Sequence, residues 1–102
     1  MILEVAQIDI HAGRANGFEE AMGQALTLLT NSKGFRGAKL FRSQEVNDRY
    51  RLLVIWDSIE NHMIDWQKSD AFKTWRGLLQ SYFAGPPSVE HMVLVHSLPE
   101  GR

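Results

Sequence analysis

The chain has 102 residues, 44% hydrophobic and 23% charged, with 12 acidic side chains against 11 lysines and arginines and a formal net charge of -1. That balance suits one folded core and leaves no basic excess for a phosphate backbone, which argues against nucleic acid as a partner. Cysteine is absent, so disulfides, thiolate nucleophiles and thiolate-bound metals are excluded and the reducing cytoplasm is the expected compartment.

From Ile2 to Ile10 the residues alternate, with Ile2, Ala6, Ile8 and Ile10 on one side and Gln7 and Asp9 on the other, as in a half-buried strand. The same stretch interleaves Glu4 with apolar residues and lacks the cationic start and unbroken apolar run of a signal peptide. Nowhere does the chain approach the ~20 apolar residues of a membrane span. After His11-Ala12-Gly13, Phe18, Met22, Ala25 and Leu29 recur at helical spacing before a stop at Lys33-Gly34, which predicts a helix of about five turns.

Phe35 to Gln44 and Arg49 to Trp56 read as two antiparallel strands joined by a turn at Glu45-Val46-Asn47-Asp48. Ser58 then caps a short helix with Ile59, Met63 and Trp66 on its apolar face, and the spacing puts His62 on that face too. Ser69-Asp70 offers a second N-cap. Phe72, Trp75, Leu79, Tyr82 and Phe83 form the stripe of the next helix, which must end before Gly85-Pro86-Pro87. Val89 to Leu98 reads as the last strand, and residues 99–102 as a frayed tail.

The order β-α-β-β-α-β predicts an α+β, ferredoxin-like domain over residues 1–98, a four-stranded antiparallel sheet with its helices on one face. The other face would carry Leu, Val and Ile side chains. A chain this small gains by packing that face on a second copy, so a homodimer is expected.

Motifs spread along the chain carry a family resemblance. They are Arg49-Tyr50-Arg51-Leu52-Leu53-Val54-Ile55-Trp56-Asp57-Ser58, then Glu60 and His62, then Ser69, Phe72 and Trp75-Arg76, then Pro87-Ser88-Val89-Glu90-His91, with Gly13-Arg14 and Phe18-Glu19 near the start. In this order they resemble the antibiotic biosynthesis monooxygenase family, which implies a dimeric α/β barrel. The branch that oxidises aromatic polyketides to quinones without metal or flavin is matched at its strand-end tryptophan by Trp56 and at its helix arginine by Arg76. His62 stands where that branch has a tyrosine. Leu52 replaces its asparagine and cannot hydrogen-bond a phenol or peroxide. The haem-degrading branch is matched at Trp66, but the position of its iron-binding histidine is Arg76 and that of its asparagine is Ala6. A guanidinium has no lone pair for iron, so haem ligation by that route is closed.

A cofactor-independent oxygenase needs a base and groups that hold an anion. His62 is the candidate base, the alternative being a core histidine satisfied by a backbone carbonyl. Arg76 is the candidate anion stabiliser, against a solvated helix flank. Trp56 and Trp66 are the expected walls for an aromatic ligand, with Trp75 kept as core. His91 is a candidate for substrate binding beside His62, with packing within the strand or at a dimer face as the favoured alternative. His91 and His96 lie on opposite strand faces and cannot chelate one ion, so no metal site is expected. The expected activity is that of a monooxygenase-type oxidoreductase without cofactors, acting with O2 on an aromatic or quinone-like small molecule. The alternative is a non-catalytic small-molecule binding or stress-response module of the same fold.

Overall fold

Alternation along the strands sorts the sheet into a covered and an open face. The computed structural model describes residues 1–101; Arg102, the last residue of the expected tail, lies outside them. Strand β1 (Ile2–Asp9), helix α1 (Ala15–Ala25), strands β2 (Phe35–Arg42) and β3 (Arg49–Trp56), helix α2 (Asp70–Leu79) and strand β4 (Ser88–Met92) form one antiparallel sheet in the order β2-β3-β1-β4 with helices packed on one side. This is the ferredoxin-like α+β fold expected from the order of elements.

On the covered face Ala6 and Ile8 of β1 and Tyr50, Leu52, Val54 and Trp56 of β3 meet Phe18, Met22 and Ala25 of α1, all buried. Helix α1 continues through a 3-10 turn, Leu26–Leu29, whose Leu29 completes the stripe. The hairpin pairs β2 with β3 as expected. Its loop is longer than the expected turn, because Ser43 and Gln44 leave the strand and the Ser43 hydroxyl accepts a hydrogen bond from the Val46 N–H at 3.0 Å. At the start of α2 the Ser69 hydroxyl accepts from the Phe72 N–H at 3.1 Å, the predicted cap.

Two expectations are corrected. The segment after Ser58 is wound as a π-helical turn, Asn61–Trp66, with the Gln67 N–H donating to the His62 carbonyl five residues back at 3.3 Å. Wider winding puts positions four and five apart on one face, so Asn61, His62 and Trp66 are buried, while Ile59 and Met63, expected inside, are 41% and 43% exposed. The last strand stops at Met92 rather than Leu98. Its partner β1 pairs Leu3 with Met92, so an antiparallel continuation runs past the first residues of β1 and finds no further backbone to bond. Val93, Leu94, Val95 and Leu98 are consequently 68–89% exposed.

The π turn is pinned at its start. Asn61 accepts from the Ser58 hydroxyl at 2.9 Å and donates to Asp65 at 3.0 Å, and its carboxamide lies where a side chain on Gly34 would be. Gly34 also has φ +77°, a region costly to any residue with a Cβ. Gly34→Ala is therefore expected to lower the unfolding free energy by roughly 2 kcal/mol, the left-handed penalty plus displacement of Asn61. Urea denaturation measures it. A loss below about 0.5 kcal/mol would mean that Asn61 moves aside freely.

Candidate active site

Between the sheet and the second helical region lies a cavity of about 430 Å³, within the usual range for a small-molecule site. Its inner wall is sheet and helix core: Ala6, Ile8, Leu29, Leu52 and Val54 are buried and apolar. Trp66, Phe72, Trp75 and Phe83 supply flat walls, with Trp66 edge-on to both Phe72 and Trp75. Gln67, Arg76 and Gln80 line the cavity yet are exposed, which puts them at its rim. The polar groups of the inner end are Glu4 and His62, both buried.

These two belong to a cluster drawn from four elements. Glu4 in β1 stands opposite Val54 of β3 and His91 of β4. Trp56, at the end of β3, is fully buried and donates its indole N–H to Glu4 Oε1 at 2.9 Å. The π turn lays His62 parallel to the Trp56 ring, with centroids 5.6 Å apart. His62 Nε2 is then 3.3 Å from Glu4 Oε1, and His62 Nδ1 is 2.9 Å from His91 Nε2. Glu4 Oε2 has no hydrogen bond to the protein, yet no buried side-chain N or O among the described residues is left unpartnered. This oxygen is therefore accessible, and Glu4 is among the residues lining the cavity. Glu4 and His91 address opposite nitrogens of His62, so the three cannot converge on one ion.

Electrostatically the pair is inverted from its behaviour in water. Burial pushes the Glu4 carboxyl up from 4.5 to about 7, against the pull of the Trp56 hydrogen bond. Burial, followed by the neighbouring His91, pushes His62 down from 6.5 to about 4. Near neutrality His62 is neutral, and Glu4 is divided between its two protonation states.

Of the residues picked from sequence, the structure brings His62 and His91 into contact and sets Trp66 on the cavity wall and Arg76 at the rim, 5.9 Å from the Phe72 ring centroid. Trp56 is not on the wall: it lies behind Glu4 and His62, because the strand end it occupies is covered by the π turn. Trp75, expected to be core only, does line the cavity. Glu4 went unrecognised, although it shares the even parity of Ala6, Ile8 and Ile10 and must face inward if they do.

With this geometry in place, similarity to known proteins becomes interpretable. The family model described as antibiotic biosynthesis monooxygenase matches residues 1–78. The chain belongs to the antibiotic biosynthesis monooxygenase family. An uncharacterised member-like protein, YczJ of Bacillus subtilis (strain 168), is 32% identical over 91 residues, spanning 89% of this chain and 96% of its own. A crystal structure from Bordetella bronchiseptica, provisionally assigned to antibiotic biosynthesis monooxygenases, superposes with a TM-score of 0.91 at 40% identity over 93% of this chain and 97% of its own. SnoaB, a cofactor-independent oxygenase from Streptomyces nogalater, shares the fold with a TM-score of 0.81 at 16% identity over 97% of each chain. No described helix of this family member is long and apolar enough to cross a membrane.

The inverted pair has a signature in stability. A carboxyl raised on folding contributes stability below its unfolded value that is lost as pH rises through about 7; a histidine lowered on folding contributes stability above 6.5 that is lost as pH falls through about 4. Between 4.5 and 6.5 the two slopes oppose each other and nearly cancel. Relative to wild type, the stability of Glu4→Gln is expected to rise with pH across this window, and that of His62→Gln to fall, each by about 1.4 kcal/mol per pH unit. Urea titrations at a series of pH values measure both; parallel profiles in all three proteins would rule out the inversion.

Proposed function

We propose that this protein is a cofactor-independent monooxygenase-type oxidoreductase that oxidises a small, flat aromatic substrate, a phenol or anthrone-like compound with a C–H at the carbon para to its oxygen, with O2. The observation that carries this reading is a buried carboxyl–imidazole pair at the inner end of an aromatic-walled cavity with an arginine at its rim. In this reading Glu4 rather than His62 is the base. Its pKa of about 7 matches the task, whereas His62, at about 4, is too weak a base and stands as a polar neighbour 3.3 Å from Glu4.

Glu4 Oε2 takes the phenolic proton, and the phenolate passes one electron to O2. Superoxide and the phenoxyl radical then combine at the para carbon as a hydroperoxide. Removal of the C–H proton at that carbon, with cleavage of the O–O bond, releases water and leaves the para-quinone. One O2 is consumed, and the substrate loses four electrons and two hydrogens while gaining one oxygen. Arg76 supplies positive charge for the anionic states from the rim, Trp66 and Phe72 hold the ring, and Trp56 fixes the carboxyl.

The test is oxygen uptake with dihydroxynaphthalenes and anthrones. Wild type is expected to show kcat/KM rising through about pH 7, and Glu4→Gln to lose about 100-fold together with that limb. Leu52, Leu29 and Val54 offer no hydrogen bond to a peroxide, which favours the second reading, a binding module. Tryptophan quenching by the same aromatics, with no oxygen consumed and the ligand recovered unchanged, would establish the module instead.

The working unit in this proposal is a homodimer. Leu3, Val5, Leu53, Ile55 and Met92 line the open sheet face, and the exposed apolar run from Val93 to Leu98 extends from its edge strand. A second copy buries both. Sedimentation is expected to give twice the chain mass for wild type and a smaller species for Leu53→Glu combined with Ile55→Glu. A monomeric wild type at micromolar concentration defeats the dimer.

A further inference from the structure

His91 lies outside the cavity, yet it ends a line of close polar atoms that begins at the cavity lining. Glu4 lines the cavity; its Oε1 is 3.3 Å from His62 Nε2, a contact that a small rotation of the carboxyl would align as a hydrogen bond; His62 Nδ1 is 2.9 Å from His91 Nε2 in a hydrogen bond. His91 sits on β4, the sheet's edge strand, and is only half-buried; its remaining nitrogen, Nδ1, has no protein partner and, since no buried side-chain nitrogen among the described residues is left unpartnered, is accessible. Each inner group is sealed from water: Glu4 and His62 are 6% and 4% exposed, and an aromatic ligand filling the cavity removes the access that Oε2 has.

We propose that Glu4, His62 and His91 form a proton wire through which the carboxyl at the inner end of the cavity exchanges its proton with solvent at the sheet edge. The inference rests on the reading of Glu4 as base only for its use in turnover, not for its existence. With Glu4 protonated, its O–H donates to His62 Nε2, the His62 Nδ1–H donates to His91 Nε2, and the His91 Nδ1–H faces outward. Three proton hops in the same direction leave Glu4 as carboxylate accepting from His62 Nε2–H, His62 Nδ1 accepting from His91 Nε2–H, and one proton released from His91 Nδ1 to water. No electron moves, both end states set a donor against an acceptor at each contact, and the proton released inside appears outside. One passage thus discharges a Glu4 protonated at Oε1; a proton taken from substrate at Oε2 joins this path after the carboxyl turns about its Cγ–Cδ bond, and the two rings return to their starting tautomers before the next passage.

Other charged groups nearby do not break the line. Arg76 of α2 lines the rim of the cavity, Asp65 of the π turn is held by Asn61, and Glu90 of β4 pairs with Val5 on the opposite sheet face. His91 touches no ligand space and is therefore a relay and positioning residue, not a catalytic one.

The first experiment needs no turnover: ¹⁵N spectra of the histidine rings and ¹³C spectra of the glutamate carboxyls of the full chain from about pH 5.5 to about pH 8.5. As Glu4 takes up its proton, the His62 N–H is expected to move from Nε2 to Nδ1, and in Glu4→Gln His62 is expected to keep one tautomer. A wild-type His62 with fixed nitrogen roles across the range overturns the wire whether or not the protein is an oxygenase. If uptake is found with the aromatic panel, His91→Gln, which preserves a hydrogen bond but relays no proton, is expected to lose at least 10-fold in kcat. His91→Ala is expected to lose as much and to recover with added imidazole. Full activity in His91→Gln would leave His91 as a positioning residue only and overturn its use in turnover. Absence of oxygen uptake with the tautomer switch intact would overturn the oxygenase reading and leave the wire standing.

Discussion

A carboxyl group set into the covered face of the sheet is the constraint from which the site follows. Glu4 occupies a position that strand parity reserves for core, and the rise of its pKa from 4.5 to about 7 corresponds to a penalty of roughly 3 kcal/mol for ionising it there. Small domains have only ~5–15 kcal/mol of stability to spare, so the group persists where its surroundings are built to hold it. Trp56 donates to it from the end of β3, His62 approaches from the π turn, and the aromatic ring of one stacks on the imidazole of the other. Remove the carboxyl and the indole N–H and the imidazole each lose their buried partner.

The π winding is the local price of that arrangement. An α-helical turn from Ser58 would bring Ile59, Met63 and Trp66 together and bury a purely apolar face. Wider winding exposes Ile59 and Met63 and substitutes Asn61 and His62, which trades apolar burial for a histidine within reach of both Glu4 and His91. π turns are frequent at functional sites. The trade is supported from outside the turn, because Gly34 leaves room for the Asn61 carboxamide and the Ser58 hydroxyl anchors it. The distant β2 entry and the buried His62 are coupled through that one contact.

Much of this was legible before any coordinates. Alternation in β1 and β3, the stripe Phe18, Met22, Ala25 and Leu29, and the Ser69 cap are strong local signals that tertiary structure had no reason to override. The inward side of His62 was also readable, since four-residue spacing to Trp66 survives in either winding. The π winding itself was not, because its cause is a contact with Gly34 across the fold. Glu4 was readable by parity but masked by its residue type: a glutamate is ordinarily assigned to solvent, and only the pairing of β1 with Trp56 at the far end of β3 gives it a buried donor. Trp56 shows the converse, a large aromatic at a strand end that looks like a wall and is instead the support behind one. The last strand was overextended because an alternating apolar sequence, Val93 and Val95, states a preference for pairing but not whether a partner strand is within the same chain.

That last point joins the edge of the sheet to the chemistry of its interior. Strand β4 carries His91 toward Glu4 and His62, and five residues of pairing with β1 and the His91–His62 contact hold it in place within the chain. A two-sided ladder is denied to it by its edge position, and the segment that follows is apolar and exposed. Whatever covers residues 93–98 therefore also fixes the register and tilt of β4, and with them the 2.9 Å contact between His91 and His62. A hydrogen bond weakens steeply with stretching and misalignment, so association through the open face would act on the inner cluster without touching the cavity. In this architecture the proposed association and the protonation state of the proposed site would be connected mechanically through a single short strand.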